Sequence, residues 1–286
     1  MANPIPEQVV PCNHCGADDA ALAAVQNGYR IVRCRGCGLV YVNPRPPAES
    51  LPGLYADYHV RDGGDEASWN RLMAGNFREA ATVLERTRGG AGPGRLLDVG
   101  CGYGGFVKLM RIRGWEAEGI DPSKATVAAA AKIGVPVRLG TLDEAEGTYD
   151  AITLFYVLEH LPDPSGALRK LFGLLAPGGT LLLRVPHTAP IVSLLRPFGL
   201  DGTLFDPPFH LFDFPPALLG EMMRKAGFSD IRTFPGAPTV PSRLLPRAVS
   251  GITGTVAAAL FTLSGGRFLL PGASKTTTAR KANQIP

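Results

Sequence analysis

The sequence has few cysteines, and their spacing excludes a disulfide-rich scaffold. Five cysteines occur in 286 residues, and four of them form two C-x2-C pairs, Cys12/Cys15 and Cys34/Cys37. In a reducing compartment, pairs this far apart are typical of a metal site rather than of disulfides. The first ten residues, MANPIPEQVV, have neither the basic region nor the apolar run of a signal peptide. We therefore expect a cytoplasmic protein.

A strong charge of either sign is also missing. The formal net charge is +4 at pH 7, and charged residues make up 19% of the chain. Such a mild balance does not by itself indicate a nucleic-acid partner. Residues 1–47 carry four arginines against three acids. We therefore expect no nucleic-acid partner.

No run of the sequence is apolar enough for a clear membrane span. Between Arg247 and Arg267 lie 19 uncharged residues, but nine of them are Gly, Ser or Thr, which makes insertion unfavourable. Four apolar residues of this stretch fall on one helical face: Ile252, Val256, Ala259 and Leu263. We predict an amphipathic helix that either covers a substrate pocket or makes a peripheral membrane contact through residues 243–267.

Strand and helix patterns alternate from residue 93 onward. RLLDVG, EAEGID, YDAITLF and TLLLRVP predict strands, and GGFVKLMRIRG, SKATVAAAAKIG and PSGALRKLFGLL predict the helices between them. SKTTTARK could supply a last strand. This alternation predicts an α/β fold, an open parallel sheet with helices on both faces, whose ligands lie beyond the carboxyl ends of the strands.

A glycine-rich turn, LLDVGCGYGGF, follows the first of these strands. Gly100, Gly102 and Gly105 match the G-x-G-x-x-G spacing that holds a dinucleotide pyrophosphate on backbone amides. A buried carboxylate at Asp98 would repel a phosphate, so it favours a ligand with positive charge, such as S-adenosylmethionine. Asp121, at the end of the next strand, is placed to bind a ribose diol or to cap the following helix.

Together these motifs resemble the class I S-adenosylmethionine-dependent methyltransferases over residues 93–286. The resemblance implies a seven-stranded Rossmann-like sheet and S-adenosyl-L-methionine as cofactor. The expected cofactor contacts are Asp98, Gly100, Cys101, Gly102, Tyr103, Asp121, Pro122, Thr141, Leu142 and Phe155. Cys101 fills the turn and is not expected to be a nucleophile.

The C-x2-C-x18-C-x2-C spacing from Cys12 to Cys37 is that of a zinc ribbon. We predict one structural Zn2+ on Cys12, Cys15, Cys34 and Cys37, with His14 as a surface residue beside it. The text CNHCG…YRIVRCRGCGLVYVNPRP resembles the N-terminal ribbon of small-molecule methyltransferases, including deoxysugar C-methyltransferases. In that branch Tyr55 and Tyr58 would approach the cofactor, or serve as buried anchors.

The segment FYVLEH leaves the fourth strand over the expected methyl position. His160 is the first candidate base, with Glu159 beside it to orient or polarise, and His187 and His210 are further candidates. Each of these histidines could equally be a hydrogen-bonded packing residue. FYVLEH also resembles quinone O-methyltransferases, in which two glutamates and the histidine can hold a divalent ion. Tyr156 replaces the first glutamate here, so we predict no catalytic metal.

The domain organisation follows from these patterns. We predict a zinc ribbon at 1–47, a helical linker or cover at 48–92, and a methyltransferase domain at 93–286. Substrate-side insertions are expected near 187–214 and 238–272. The leading function is methyl transfer to a small-molecule acceptor, sugar-like or lipid-like, at oxygen or carbon. An RNA base methyltransferase with a zinc-ribbon recognition module is the alternative function that we keep open. A non-enzymatic zinc-ribbon interaction protein is a further alternative, which the intact glycine turn and Asp121 disfavour.

Overall fold

The computed structural model describes residues 7–51, 66–188, 205–238, 244–270 and 274–283, and the backbone alone for 244–250. Tyr55 and Tyr58 lie outside the described residues. The described strands are β1 Ala20–Gln26, β2 Tyr29–Cys34, β3 Val40–Val42, β4 Arg95–Val99, β5 Glu116–Asp121, β6 Val137–Leu139, β7 Tyr149–Phe155, β8 Leu175–Val185, β9 Phe212–Asp213, β10 Ser229–Pro235 and β11 Lys275–Arg280. The described α-helices are α1 Glu66–Thr87, α2 Gly105–Ile112, α3 Lys124–Lys132, α4 Pro164–Leu174, α5 Pro216–Lys225 and α6 Leu244–Leu263.

The larger sheet has seven strands in the order β10-β11-β8-β7-β4-β5-β6, which confirms the predicted α/β fold. One expectation was wrong, because the sheet is mixed rather than fully parallel. The last strand, β11, runs antiparallel to both β8 and β10. It follows α6 in the chain and lies between β8 and β10 in the sheet.

Burial explains why these segments form this sheet. Most residues of the strands β4, β7 and β8 are buried, as expected for strands that helices cover on both faces. The helix α1 turns one face inward, with Met73, Phe77, Ala80 and Leu84 buried against α2 and the sheet. The order reverses between β5-β4 and β7-β8, so the crevice beyond β4 and β7 is the expected ligand site.

The smaller sheet joins the N-terminal region to the rest of the molecule. Its order is β1-β2-β3-β9, and β9 comes from residues Phe212–Asp213, far along the chain. The buried residues Leu39 and Tyr41 belong to the same hydrophobic cluster as Leu154 and Leu211. The cysteine-rich region, which lacks enough apolar residues for a core of its own, therefore shares the core of the larger sheet.

Candidate functional site

The glycine turn between β4 and α2 adopts a backbone that requires glycine. Gly100, Gly102 and Gly104 have φ angles of +66°, +54° and +72°, which side-chain-bearing residues rarely adopt. A Cβ atom added to Gly100 would lie 2.4 Å from Cγ2 of Val157. The turn is therefore built for a close approach of the backbone to its neighbours, and it ends at the first turn of α2.

Asp98 is buried directly before this turn. Its side chain is 2% exposed, and its Oδ1 accepts a hydrogen bond of 2.6 Å from Thr153 Oγ1. Burial raises the pKa of this carboxyl to about 7; the hydrogen bond from Thr153 lowers it, and the nearby charge of Asp121 raises it further. An ionised Asp98 is therefore costly in the free protein, and a cationic ligand would offset that cost.

Asp121 ties the turn to the next strand and helix. Its Oδ2 accepts from the Gly102 amide at 2.8 Å. Its Oδ1 accepts from the Ser123 amide at 3.0 Å and from Thr126 Oγ1 at 2.7 Å. Ser123, rather than Asp121, caps α3 by accepting from the Thr126 amide. The carboxylate thus lies against the glycine turn, at the end of β5, where the ribose contact was predicted.

The remaining predicted cofactor residues surround the turn in different ways. Tyr103 is half-buried, Pro122 is exposed, and Thr141 begins a short 3-10 helix with a hydrogen bond from its amide to Glu144. The side chains of Leu142 and Phe155 are buried in the core. Phe155 packs edge-on against Phe106, with ring centroids 4.9 Å apart, so its side chain stabilises α2 from beneath the turn.

Cys101 occupies the turn as a buried packing residue. Its Sγ lies 2.4 Å from the position that a Cβ on Gly119 would occupy. Burial raises the pKa of its thiol strongly, and the charges of Asp98 and Asp121 raise it further. A thiol in this environment stays protonated at neutral pH and is a poor nucleophile, in accord with its predicted role as a filler.

A buried acid lies directly after β7, in the region predicted to hold the methyl acceptor. Glu159 lies in the 3-10 helix Leu158–His160 after β7, is 0% exposed, and has no hydrogen-bond partner for either carboxylate oxygen among the described residues. Burial raises its pKa to about 8; Lys275 lowers it, and Asp213 raises it. Buried polar groups are nearly always hydrogen-bonded, so this carboxylate is a candidate for contact with a bound molecule.

Two predicted histidines meet at this acid. His160 and His210 pack with ring centroids 4.8 Å apart at an interplanar angle of 64°. The Nδ1 atom of His160 lies 2.9 Å from the carbonyl oxygen of Phe209. Because a carbonyl only accepts, Nδ1 carries the proton and Nε2 carries the lone pair. The structure thus brings His210 to Glu159 and His160, which precede it by about 50 residues in the sequence.

Two further charged residues near Glu159, Lys275 and Asp213, were not predicted from the sequence. Lys275 begins β11, is 0% exposed and donates from Nζ to the Pro186 carbonyl. Asp213 accepts from the Thr188 amide at 2.6 Å. Burial lowers the pKa of Lys275 to about 8, and the carboxylates of Asp213 and Glu159 raise it. A lysine directly before three threonines in this strand was the available signal.

His187 lies beside this charged group, directly after β8. It is 6% exposed, and its Nδ1 atom has no hydrogen-bond partner among the described residues. Burial lowers its pKa to about 4, Lys275 lowers it further, and Asp213 raises it. At neutral pH this imidazole is therefore uncharged.

The four predicted metal cysteines converge. Sγ of Cys12 lies 3.5 Å from that of Cys37, and Sγ of Cys15 lies 3.5 Å from that of Cys34. A tetrahedral zinc–thiolate centre with bonds of about 2.3 Å separates its sulfurs by about 3.8 Å. Burial opposes ionisation of Cys34, but hydrogen bonds from the Cys37 amide, the Cys15 thiol and the Gly36 amide lower its pKa to about 7. The donor set fits Zn2+.

His14 was predicted to be a surface residue, and this was wrong. Its side chain is 3% exposed, because it packs against α5, where Nε2 lies 3.3 Å from Glu221 Oε1 and 3.3 Å from Lys225 Nζ. The first cysteine knuckle therefore docks on a helix of the larger domain, a contact that spacing alone could not reveal.

The helix predicted between Arg247 and Arg267 is present as α6, and its apolar face points outward. Ile252, Val256 and Leu263 are 65%, 44% and 85% exposed, whereas Ala257 is 1% exposed. Within the described ranges, no helix is both long and apolar enough to cross a membrane.

Comparison with known proteins places this geometry in a family. A family model described as "Methyltransferase domain" matches residues 71–233, more than half of the chain. The chain belongs to this methyltransferase family. This confirms the resemblance carried by the glycine turn and its neighbouring strands.

One similar curated protein is the ubiquinone biosynthesis O-methyltransferase of Pseudomonas putida (strain W619). It is 33% identical over 147 residues, which cover 46% of this chain and 63% of the relative. The chain therefore spans less than two thirds of the length of that relative.

Solved structures share the fold at low identity. A complex between the Haloferax volcanii Trm112 methyltransferase activator and a putative methyltransferase matches with a TM-score of 0.57 and 14% identity, over 83% of this chain and 100% of that chain. The 1,6-didemethyltoxoflavin-N1-methyltransferase of Burkholderia thailandensis matches with a TM-score of 0.54 and 19% identity, over 93% and 100%. At these identities the likeness shows the fold alone.

Proposed function

We propose that this methyltransferase-family chain transfers a methyl group from S-adenosylmethionine to a small-molecule acceptor. The observation that carries the proposal is the pairing of a buried Asp98 with a glycine turn of positive φ at the carboxyl end of β4. The names of two of the similar proteins, a ubiquinone biosynthesis O-methyltransferase and a toxoflavin-precursor N-methyltransferase, support a small acceptor.

The residues of the turn fit the proposed cofactor. The positive φ at Gly100 and Gly102 is that of a turn whose backbone can closely approach a ligand, and Asp121 holds the turn in shape through the Gly102 amide. Asp98 supplies a negative charge that a pyrophosphate would meet unfavourably. When bound, S-adenosylmethionine supplies a methyl group activated by a positively charged sulfur.

The acceptor side can remove a proton from a hydroxyl or an acidic carbon. The Nε2 lone pair of His160, fixed by the Nδ1 hydrogen bond to Phe209, is the first candidate. His187 is the second, since it is uncharged at neutral pH. A positioned base contributes roughly 10^2- to 10^4-fold in rate.

The cysteine cluster would hold a structural Zn2+. Four thiols complete a tetrahedral centre and leave no position for a substrate. Its role is to fix the knuckles that support β3, and through β3 the strand β9. The described part of the ribbon favours RNA binding little: it exposes Arg33 and Arg35, but Arg35 pairs with Asp19, and the apolar Val9, Leu22 and Val25 are exposed as well.

Membrane contact and cellular location are further parts of the proposal. We keep a peripheral membrane contact through 243–267 as the stronger of the two roles of α6, because its apolar residues point outward rather than into the crevice. A cytoplasmic location remains a prediction from the cysteine pairs.

The function is tested by ligand binding and then by label transfer. Calorimetry is expected to show binding of S-adenosylmethionine and S-adenosylhomocysteine and none of NAD; tight NAD binding without sulfonium binding would refute the proposal. Incubation with methyl-labelled cofactor and a fractionated metabolite extract then identifies the acceptor fraction, with Asp121→Ala as the matched protein of weakened cofactor binding.

A further inference from the structure

The side-chain amide of Asn70, in α1, lies beside the glycine turn and takes no part in the contacts described above. Its Oδ1 atom is buried and has no hydrogen-bond partner among the described residues. A buried acceptor without a donor is rare in folded proteins, so a bound molecule is a natural partner for it. We propose that Asn70 binds the amino-acid end of S-adenosylmethionine, with Oδ1 accepting a hydrogen bond from the ammonium group. This inference rests on the proposed function and adds a cofactor-binding residue to it.

The contact between Asn70 and the glycine turn is the first argument. A Cβ atom on Gly105 would collide with the side-chain amide of Asn70, so the absence of a side chain at Gly105 is what lets Asn70 lie there. Gly105 is the first residue of α2 and directly follows Gly104, whose φ is +72°. The amide of Asn70 therefore lies at the end of the turn that the cofactor is proposed to approach.

The packing of α1 is the second argument, because it fixes the position of Asn70. Asn70, Met73 and Phe77 are spaced by three and four residues, so they share one face of the helix. Met73 is 0% exposed. The ring centroid of Phe77 lies 5.5 Å from that of Phe106, in α2, and 5.1 Å from that of Phe155. These buried contacts hold α1 against the start of α2, and they hold Asn70 there with it.

The charge of the neighbouring groups is the third argument, because it selects the kind of donor. Two acids, Asp98 and Asp121, lie at the carboxyl ends of β4 and β5, and Asp121 accepts a hydrogen bond from the turn itself. A ligand group that brings positive charge and N–H donors is favoured beside such acids. The sulfonium of S-adenosylmethionine has no hydrogen to donate, whereas its ammonium has three. The ammonium is therefore the group that suits the amide oxygen of Asn70.

Calorimetry on the full chain tests this assignment with three ligands that share the adenosine group. S-adenosylhomocysteine carries the ammonium and the carboxylate, decarboxylated S-adenosylmethionine carries the ammonium alone, and 5′-methylthioadenosine carries neither. Asn70→Ala is expected to weaken binding of the first two ligands roughly 10- to 150-fold, because a hydrogen bond to a charged group is lost. Binding of 5′-methylthioadenosine should stay within about twofold of the wild type. A general loss of structure at the turn would weaken all three.

Asn76→Ala is the matched control, because Asn76 is another buried asparagine of α1 whose Oδ1 has no hydrogen-bond partner among the described residues. Its Nδ2 lies 3.6 Å from Sδ of Met73, to which it donates. This variant is expected to lower the free energy of unfolding, measured with denaturant. It should leave the ratio of the S-adenosylhomocysteine and 5′-methylthioadenosine affinities within about twofold of the wild type.

Three results would overturn the assignment of Asn70 and leave the proposed function standing. They are equal weakening of all three ligands by Asn70→Ala, unchanged binding of S-adenosylhomocysteine, and a loss confined to S-adenosylhomocysteine, which would indicate a contact with the carboxylate instead. If the wild type binds none of the three ligands, the proposed function fails, and the assignment of Asn70 fails with it.

Discussion

The two halves of the crevice are built in opposite ways. The cofactor half, the part predicted to bind S-adenosylmethionine, comes largely from one segment: Asp98, Gly100, Gly102, Asp121 and Thr126 lie within 29 residues. Asp121 accepts from Gly102 and Thr126, whereas Asp98 accepts from the more distant Thr153. The acceptor half, the part predicted to bind the methyl acceptor, gathers side chains from after β7, after β8, before β9 and at the start of β11. The first half is therefore mostly local, whereas the second depends on how distant elements pack.

The cysteine-rich region belongs to the second half. The Val42 amide donates to the Leu211 carbonyl at 2.9 Å, and the Leu211 amide donates to the Glu159 carbonyl at 2.8 Å. The Phe205 amide donates to Gln26 Oε1, and Asn27 donates to the Pro207 carbonyl. The segment that carries His210 is therefore held on one side by the ribbon and on the other by the chain around Glu159.

The largest expected effect comes from removing the ribbon metal site. In Cys34→Ser/Cys37→Ser, loss of a zinc site worth about 10 to 16 kcal/mol should release β3 and therefore the segment 205–213. Hydrogen exchange of the Val42 and Leu211 amides should rise at least about 100-fold. S-adenosylhomocysteine affinity should change by less than about threefold.

Cys101→Ser is the matched control, because it changes a cysteine of the other half. It should leave the exchange of Leu211 unchanged. If the double variant retains wild-type protection at Leu211, the ribbon does not support the acceptor half and the comparison fails.

The second effect concerns Asp98 and pH. Its folded pKa of about 7 exceeds its ordinary value of 3.8, so the folded state binds the proton more tightly and the wild type loses stability as pH rises between these values. The Asp98→Asn side chain does not ionise, so its free energy of unfolding should exceed that of the wild type above pH 7, by up to about 4 kcal/mol. Near pH 4 the two free energies should not differ.

Denaturant unfolding at pH 4, 6 and 8 measures this difference. The same variant should bind S-adenosylmethionine more weakly at pH 8, because the charge that attracts the sulfonium is gone. Asp143→Asn, at an exposed carboxylate, is the control. A constant difference between Asp98→Asn and wild type at all three pH values would contradict the prediction.

The third effect is that of Asp121 on cofactor affinity. Asp121→Ala removes a carboxylate that accepts from the Gly102 amide, the Ser123 amide and Thr126 Oγ1. Lost charged hydrogen bonds of about 1.5 to 3 kcal/mol should weaken S-adenosylhomocysteine binding roughly 10- to 150-fold in calorimetry. Exchange at Leu211 should not change. Thr126→Val, which removes one of the three contacts and keeps the carboxylate, should fall in between.

The smallest effect is expected outside both halves, on α6. Ile252→Ser/Leu263→Ser removes two exposed apolar side chains and should change the free energy of unfolding by less than about 0.5 kcal/mol. Binding to anionic vesicles, measured by sedimentation, should fall roughly tenfold if the helix rests on a membrane. Leu22→Ser, at an exposed leucine of the ribbon, should leave vesicle binding unchanged, and equal losses in both proteins would contradict a contact through α6.

The sequence by itself determined the parts whose physics is local. The glycine turn, the acids at the ends of β4 and β5, and the two cysteine pairs are fixed by backbone conformation and spacing, so their pattern predicted the fold class and the zinc donors. The convergence of Cys12, Cys15, Cys34 and Cys37 follows from two tight turns joined by a hairpin.

Only the tertiary structure decided the acceptor half. His210 and Glu159 meet because β9 pairs with β3, and Lys275 reaches them because β11 inserts antiparallel between β8 and β10. The prediction for His14 was wrong for the same reason, since its burial depends on the docking of the first knuckle against α5. Contacts between segments so far apart arise from packing of shared apolar surface, which is non-directional and leaves no spacing pattern in the sequence.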